Sequence, residues 1–120
     1  MRIFKNTWFT RFADKEGITD SELMEAVSRL EAGSAIDLGG GVYKMRLARP
    51  GEGKLGGYRV IVFFKSEERT FYEYCFAKSD RGNIGEGELK RFKKDAKFYF
   101  ALNDEQIKDF LRKRDLIEVL

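Results

Sequence analysis

The period of the apolar positions changes several times along this chain, and each change marks an element. Ile3 and Phe4 lie inside Arg2–Lys5, a short run that reads as a first strand. Thr7 can cap a helix through Ala13, on which Trp8, Phe9 and Phe12 form an apolar stripe, and Gly17 can end it. Thr19 and Glu22 have the spacing of a capping box, and Leu23, Val27 and Leu30 then recur at i, i+4 and i+7 until Gly33 stops the run. These two pieces read as a helical hairpin whose stripe, including Trp8, packs on a sheet.

From Val42 the period becomes two. Val42, Lys44, Arg46 and Ala48 share one parity and Tyr43, Met45 and Leu47 the other, so a strand here has a mainly apolar face and a face carrying Lys44 beside Arg46. Asp37–Gly41 reads as the turn into that strand, and Pro50–Gly57 as a glycine-dense hairpin loop. Tyr58–Phe64 is almost uninterrupted apolar after Arg59, which suits a central strand covered on both faces. Thr70–Ala77 completes a three-strand antiparallel meander. Asn83 with Glu86 can cap a third helix with a Leu89, Phe92, Ala96 and Tyr99 stripe. Asn103–Arg114 carries Ile107, Phe110 and Leu111 as a fourth helix, and Leu116–Leu120 reads as a last strand. The expected architecture is α+β, one domain over residues 1–120, with a sheet of about four strands, two N-terminal helices packed on it and helices at the C-terminal end.

Composition narrows the function. The chain has 120 residues, of which 42% are hydrophobic and 11 are Phe, enough to bury a core in one domain. Its longest apolar run, Val60–Phe64, is far short of the ~20 residues of a membrane span, and the charged N-terminal stretch is no secretory signal, so no membrane association and a cytoplasmic location are expected. Cys75 is the single cysteine, which fits a reducing compartment, and it is read as a small buried hydrophobe. With no histidine and one cysteine, zinc and iron–sulfur sites are excluded. No clustered carboxylates suggest magnesium, so neither a metal nor a cofactor is expected.

Charge is unevenly distributed. Between Val42 and Lys65 stand Lys44, Arg46, Arg49, Lys54, Arg59 and Lys65 against Glu52 alone, a local +5 in a chain whose formal total is +3. A cationic row on a rigid sheet suits phosphates. The outer face of the third helix, with Lys90, Arg91 and Lys94, is a second basic surface, read either as a solvated face or as a contact with nucleic acid.

The segments GGGVYKMRLARPG, GKLGGYRVIVFF and FAKSDRGNI, followed by ELKRFKK, resemble the RelE-type toxins of bacterial toxin–antitoxin pairs, in the RelE/ParE superfamily. The resemblance runs to about Leu102, and residues 103–120 read as a C-terminal extension. It implies a twisted antiparallel sheet backed by two N-terminal helices, cleavage of mRNA positioned in the ribosomal A site, and inhibition by a cognate antitoxin. On it, Lys44 and Arg46 fall where the family places paired basic residues on the sheet. Arg59 falls on the position that binds the scissile phosphate, and Lys78 and Arg81 in the basic stretch after the last central strand. Where some members carry a tyrosine soon after, this chain reads NIGEG. Arg49 and Lys54 are expected to contact RNA or ribosome.

Such chemistry suits these residue types. Attack of a 2′-hydroxyl on the adjacent phosphate needs a proton acceptor, a cationic clamp for the pentacoordinate phosphate and a donor for the leaving oxygen. A lysine among other cations can serve as base, and arginines clamp through paired N–H groups. Two readings of other classes stay beside this one. The first is a ParE-like toxin that poisons DNA gyrase, though such toxins generally lack the basic set. The second is a non-catalytic RNA- or ribosome-binding module, for which a basic sheet suffices.

Overall fold

The computed structural model describes residues 1–49 and 53–120, with side chains for residues 1–48 and 57–120. In chain order the elements are β1 (Arg2–Asn6), α1 (Thr7–Glu16), α2 (Asp20–Glu31), β2 (Ile36–Gly39), β3 (Val42–Arg49), β4 (Gly53–Lys65), β5 (Arg69–Ala77), α3 (Glu86–Phe100), α4 (Asp104–Arg112) and β6 (Leu116–Glu118). The chain is α+β, and its helices form a layer on each side of one sheet.

That sheet has six strands in the order β2-β3-β4-β5-β1-β6. The meander of β3, β4 and β5 is antiparallel as the sequence suggests, but β1 inserts beside β5 and runs parallel to it, with Phe4 opposite Phe71. The sheet is therefore mixed and larger than the four antiparallel strands expected. Ile36–Gly39, of which Asp37–Gly39 was expected in the turn, forms an added strand β2 on the edge against β3, and the expected last strand, β6, pairs with β1 on the other side. The turn itself is confined to Gly40 and Gly41, which share positive φ with Gly39 before them. A Cβ on Gly41 would lie 2.6 Å from the Phe100 ring, so only glycine fits there.

The two faces of the sheet have separate cores. Met45, Leu47, Tyr58, Val60 and Tyr72 face α1 and α2, and pack on Phe9, Leu23, Val27 and Leu30. Phe4, Val42, Ile61, Phe63 and Phe71 face α3 and α4, and pack on Phe92, Ala96 and Ile107. β4 contributes to both clusters, which is why Tyr58–Phe64 reads as continuous apolar sequence. Buried hydroxyls tie the layers together. Tyr72 donates to the Leu23 carbonyl and Tyr58 to the Glu16 carboxylate, both at 2.6 Å.

Several local expectations shift. The cap of α1 is Asn6, one residue before Thr7, with its Oδ1 accepting from Phe9 N at 2.7 Å. α1 continues past Ala13 to Glu16, and Gly17 closes it in the left-handed conformation. Of the aromatic stripe only Phe9 is fully buried. Trp8 is 44% exposed, stacks on Phe12 and makes a tilted contact with Tyr74. The glycine-dense loop is shorter than expected. Gly53–Gly57 belong to β4, whereas Pro50, Gly51 and Glu52 lie outside the described residues. α3 is capped at Gly85 through Glu88, not at Asn83 through Glu86. α4 is opened by the Asn103–Gln106 capping box, and Arg69 donates to the Leu102 carbonyl before the helix and to Asp104 at its first position. No helix among the described residues is long and apolar enough to cross a membrane.

A candidate phosphate-binding groove

The helices α3 and α4 cover only part of their face of the sheet. They sit over the end carrying Val42, Phe63 and Phe71 and leave the end carrying Arg46 and Arg59 open. Cross-strand register then decides which side chains share that opening. Arg46 lies directly opposite Arg59, which lies opposite Phe76, and the next row is Lys44, Ile61 and Tyr74. An arginine directly opposite another arginine opposes pairing, so the register is set by the apolar residues of both faces and not by these charges.

Lys78, just past the end of β5, comes to the same opening because its backbone N–H bonds the Gly57 carbonyl at 3.2 Å. The result is a groove of about 210 Å³ lined by Ile36, Lys44, Arg46, Arg59, Lys78 and Gly82. A wider neighbouring hollow of about 430 Å³ shares Ile36, Lys44 and Arg46 and extends to Arg29 and Ser34. Four cations converge on the first groove, and among the described residues no carboxylate pairs with any of them. Elsewhere the partners are close at hand: Arg2 with Glu118, Lys5 with Asp20 and Arg69 with Asp104, each at 2.9 Å.

Arg59 is the most unusual of the four. It is only 7% exposed, and its one hydrogen bond among the described residues runs from Nη1 to its neighbour's carbonyl, that of Tyr58, at 3.4 Å. Burial holds its pKa below the ordinary arginine value, and Arg46 adds to the depression. A guanidinium so placed still keeps its charge at neutral pH, so it is a desolvated cation awaiting an anion. Lys44 is half-buried and donates to Asn83 Oδ1 at 3.2 Å, while Arg46 and Lys78 are exposed.

Arg81, expected with the others, stands beside the groove in a different state. Its guanidinium lies over the Phe76 ring and is held by Glu88 through two oxygens, at 2.6 and 3.1 Å. That pairing raises the Arg81 pKa and pulls the Glu88 carboxyl down to about 2, with the Gly85 N–H as a second cause for the latter. Arg49 and Lys54 sit on β3 and β4 by their backbone, and their side chains lie outside the described residues. Lys90, Arg91 and Lys94 are exposed on α3 and do not line the groove. Sequence reasoning did not single out Ile36, at the groove's rim, or the Asn83 contact with Lys44. The latter joins positions 39 apart, and no local pattern announces it.

A family model described as the RelE toxin of the RelE / RelB toxin-antitoxin system matches residues 1–119. The match takes in α4 and β6 as well as the basic strands.

Proposed function

The chain belongs to the RelE toxin family of RelE/RelB toxin–antitoxin systems, with a cognate antitoxin as the partner that family implies, and on that premise we propose that it is an mRNA endoribonuclease acting on the ribosome. The observation that carries this reading is the convergence of Lys44, Arg46, Arg59 and Lys78 on one groove without a neutralising carboxylate among the described residues. Uncompensated cations cost stability, and a site that collects them is built for an anion that arrives later.

The roles follow from what each group can do. Arg59 and Arg46, fixed opposite each other, clamp the non-bridging oxygens and offset the charge that builds on the pentacoordinate phosphate. Arginine does not give up its proton near neutral pH, so proton transfer falls to the lysines. Lys44, beside Arg46 and held by Asn83, takes the 2′-hydroxyl proton, and Lys78 donates to the leaving 5′-oxygen. The 2′-oxygen forms its bond to phosphorus as the P–O5′ bond breaks, giving a 2′,3′-cyclic phosphate and a 5′-hydroxyl. No external water or metal enters this step.

A protein without histidine has no side chain whose unperturbed pKa lies near neutrality, so the neutral lysine it needs is scarce. Holding the 2′-hydroxyl in line with the leaving oxygen compensates, and the ribosomal A site supplies that alignment. Purified protein mixed with a defined mRNA, with and without programmed ribosomes, tests the reading. Cuts are expected only where ribosomes are present. Equal rates in both tubes overturn the ribosome requirement. Intact mRNA in both tubes leaves a binding module, or, if supercoiling is inhibited, a gyrase poison.

A further inference from the structure

Arg81 has five N–H groups, and all five have acceptors. Nε bonds the Asn83 carbonyl at 3.1 Å, and Nη2 bonds the same carbonyl at 2.8 Å and Glu88 Oε1 at 2.6 Å. Nη1 bonds Glu88 Oε2 at 3.1 Å and the Tyr74 hydroxyl at 3.4 Å. With one face of the guanidinium over Phe76 as well, Arg81 has no donor left for a phosphate. Glu88 is equally committed, because Oε1 also accepts from Gly85 N at 2.9 Å and so closes the first turn of α3.

What this clamp holds is Asn83. Its carbonyl receives two bonds from Arg81, and its side-chain Oδ1 receives one from Ile84 N at 2.9 Å and one from Lys44 Nζ at 3.2 Å. Both neighbours of Oδ1 are donors, so the orientation of the amide is determined twice over. Asn83 is not the helix cap, since Gly85 and Glu88 fill that role. Its side chain therefore has one use beyond its own turn, which is to fix the end of Lys44.

We propose that Asn83 is the positioning residue for Lys44, and that Arg81, locked by Glu88, anchors Asn83 instead of binding the scissile phosphate. This deepens the nuclease reading and rests on it for its kinetic consequence, though the geometric claim stands apart. A lysine has four rotatable side-chain bonds, and a free ammonium would sample many positions around the groove. A neutral amide oxygen restrains it without placing a negative charge beside the incoming phosphate.

Two measurements test it. Side-chain ammonium relaxation by NMR, at low temperature and mildly acidic pH, is expected to find Lys44 restrained relative to exposed Lys90. Asn83→Ala should make Lys44 as mobile as Lys90, and Asn83→Asp, which keeps both acceptor contacts, should leave it restrained. On programmed ribosomes Asn83→Ala should lower kcat about tenfold with KM unchanged, and in a Lys44→Ala background it should cause no further loss. Unchanged Lys44 mobility in Asn83→Ala, or losses that multiply in the double variant, overturn the proposal. If the wild-type protein cuts nothing, the nuclease reading falls, while the NMR comparison still decides whether Asn83 positions Lys44.

Discussion

Arg59 states the balance between fold and function most sharply, because the two make opposite demands on it. A nearly buried guanidinium facing Arg46, with one long bond to a neighbouring carbonyl, contributes nothing evident to the native state. Desolvation and a like charge both act against it, and the depressed pKa reports the same penalty. The structure keeps it on the groove floor, in one cross-strand row between Arg46 and Phe76. Replacing it with methionine retains volume and removes the charge. Arg59→Met is expected to reduce mRNA cleavage by roughly a hundredfold or more, about 3 kcal/mol of transition-state stabilisation, while the melting temperature stays the same or rises. Parallel cleavage assays and thermal melts check this. A variant that melts well below the wild type and cleaves normally would make Arg59 a structural residue.

At the scale of elements, the contact between β5 and α3 has its own titration. Glu73 on β5 faces Asp95 on α3 and accepts from Asn6 Nδ2 at 2.6 Å, so the same carboxyl group touches β1 at the cap of α1. Burial, then the Asp95 contact, pushes its pKa up to about 8, against an ordinary value of 4.5. A raised carboxylate pKa means that the folded state binds the proton more tightly than the unfolded chain. Stability from this group is therefore fully present below the unfolded value and is lost as pH rises through about 8. Glu88 has the opposite sign: its contribution is present above the unfolded value and is lost as pH falls toward about 2. Glu73→Gln keeps an acceptor for Asn6 and is expected to flatten the decline in stability between pH ~5 and ~8 and to raise the melting temperature above that window. Melts across that range decide it, and an unchanged slope would contradict the assignment.

The elements also show what was legible in the sequence. The capping box at Thr19 and Glu22, the Leu23, Val27 and Leu30 repeat and the parity of β3 are local signals, and each produced the element it predicts. β2, of four residues, is too short for a period to emerge, and only pairing with β3 makes it a strand, whereas β6 was readable as a last strand but its pairing with β1 was not. The insertion of β1 beside β5 is a long-range pairing that no window of sequence contains. The site divides in the same way. Lys44, Arg46 and Arg59 were readable from alternation and charge, whereas the locked state of Arg81 depends on Glu88, one turn into a helix whose start was placed at the wrong residue.

For the whole molecule, the two helical layers explain why one end of the sheet is free to carry charge. α1 and α2 cover one face along the strands, and α3 and α4 bury the end of the other face that holds Phe63 and Phe71. The segment from Asn103 takes part in this fold: Ile107 and Leu116 lie in the second core, and β6 extends the sheet. What stays uncovered is the cationic groove, set in a chain whose remaining residues sum to about −2 once the +5 of Val42–Lys65 is taken from the total of +3. That asymmetry favours the approach of a polyanion to the groove. The central claim, attack by the substrate's own 2′-hydroxyl within that groove, is tested most directly by the ends of mRNA cut on programmed ribosomes. The account predicts a 2′,3′-cyclic phosphate, or the 3′-phosphate from its opening, on the upstream fragment and a 5′-hydroxyl on the downstream one. A 3′-hydroxyl facing a 5′-phosphate would show that water was the nucleophile and would contradict it.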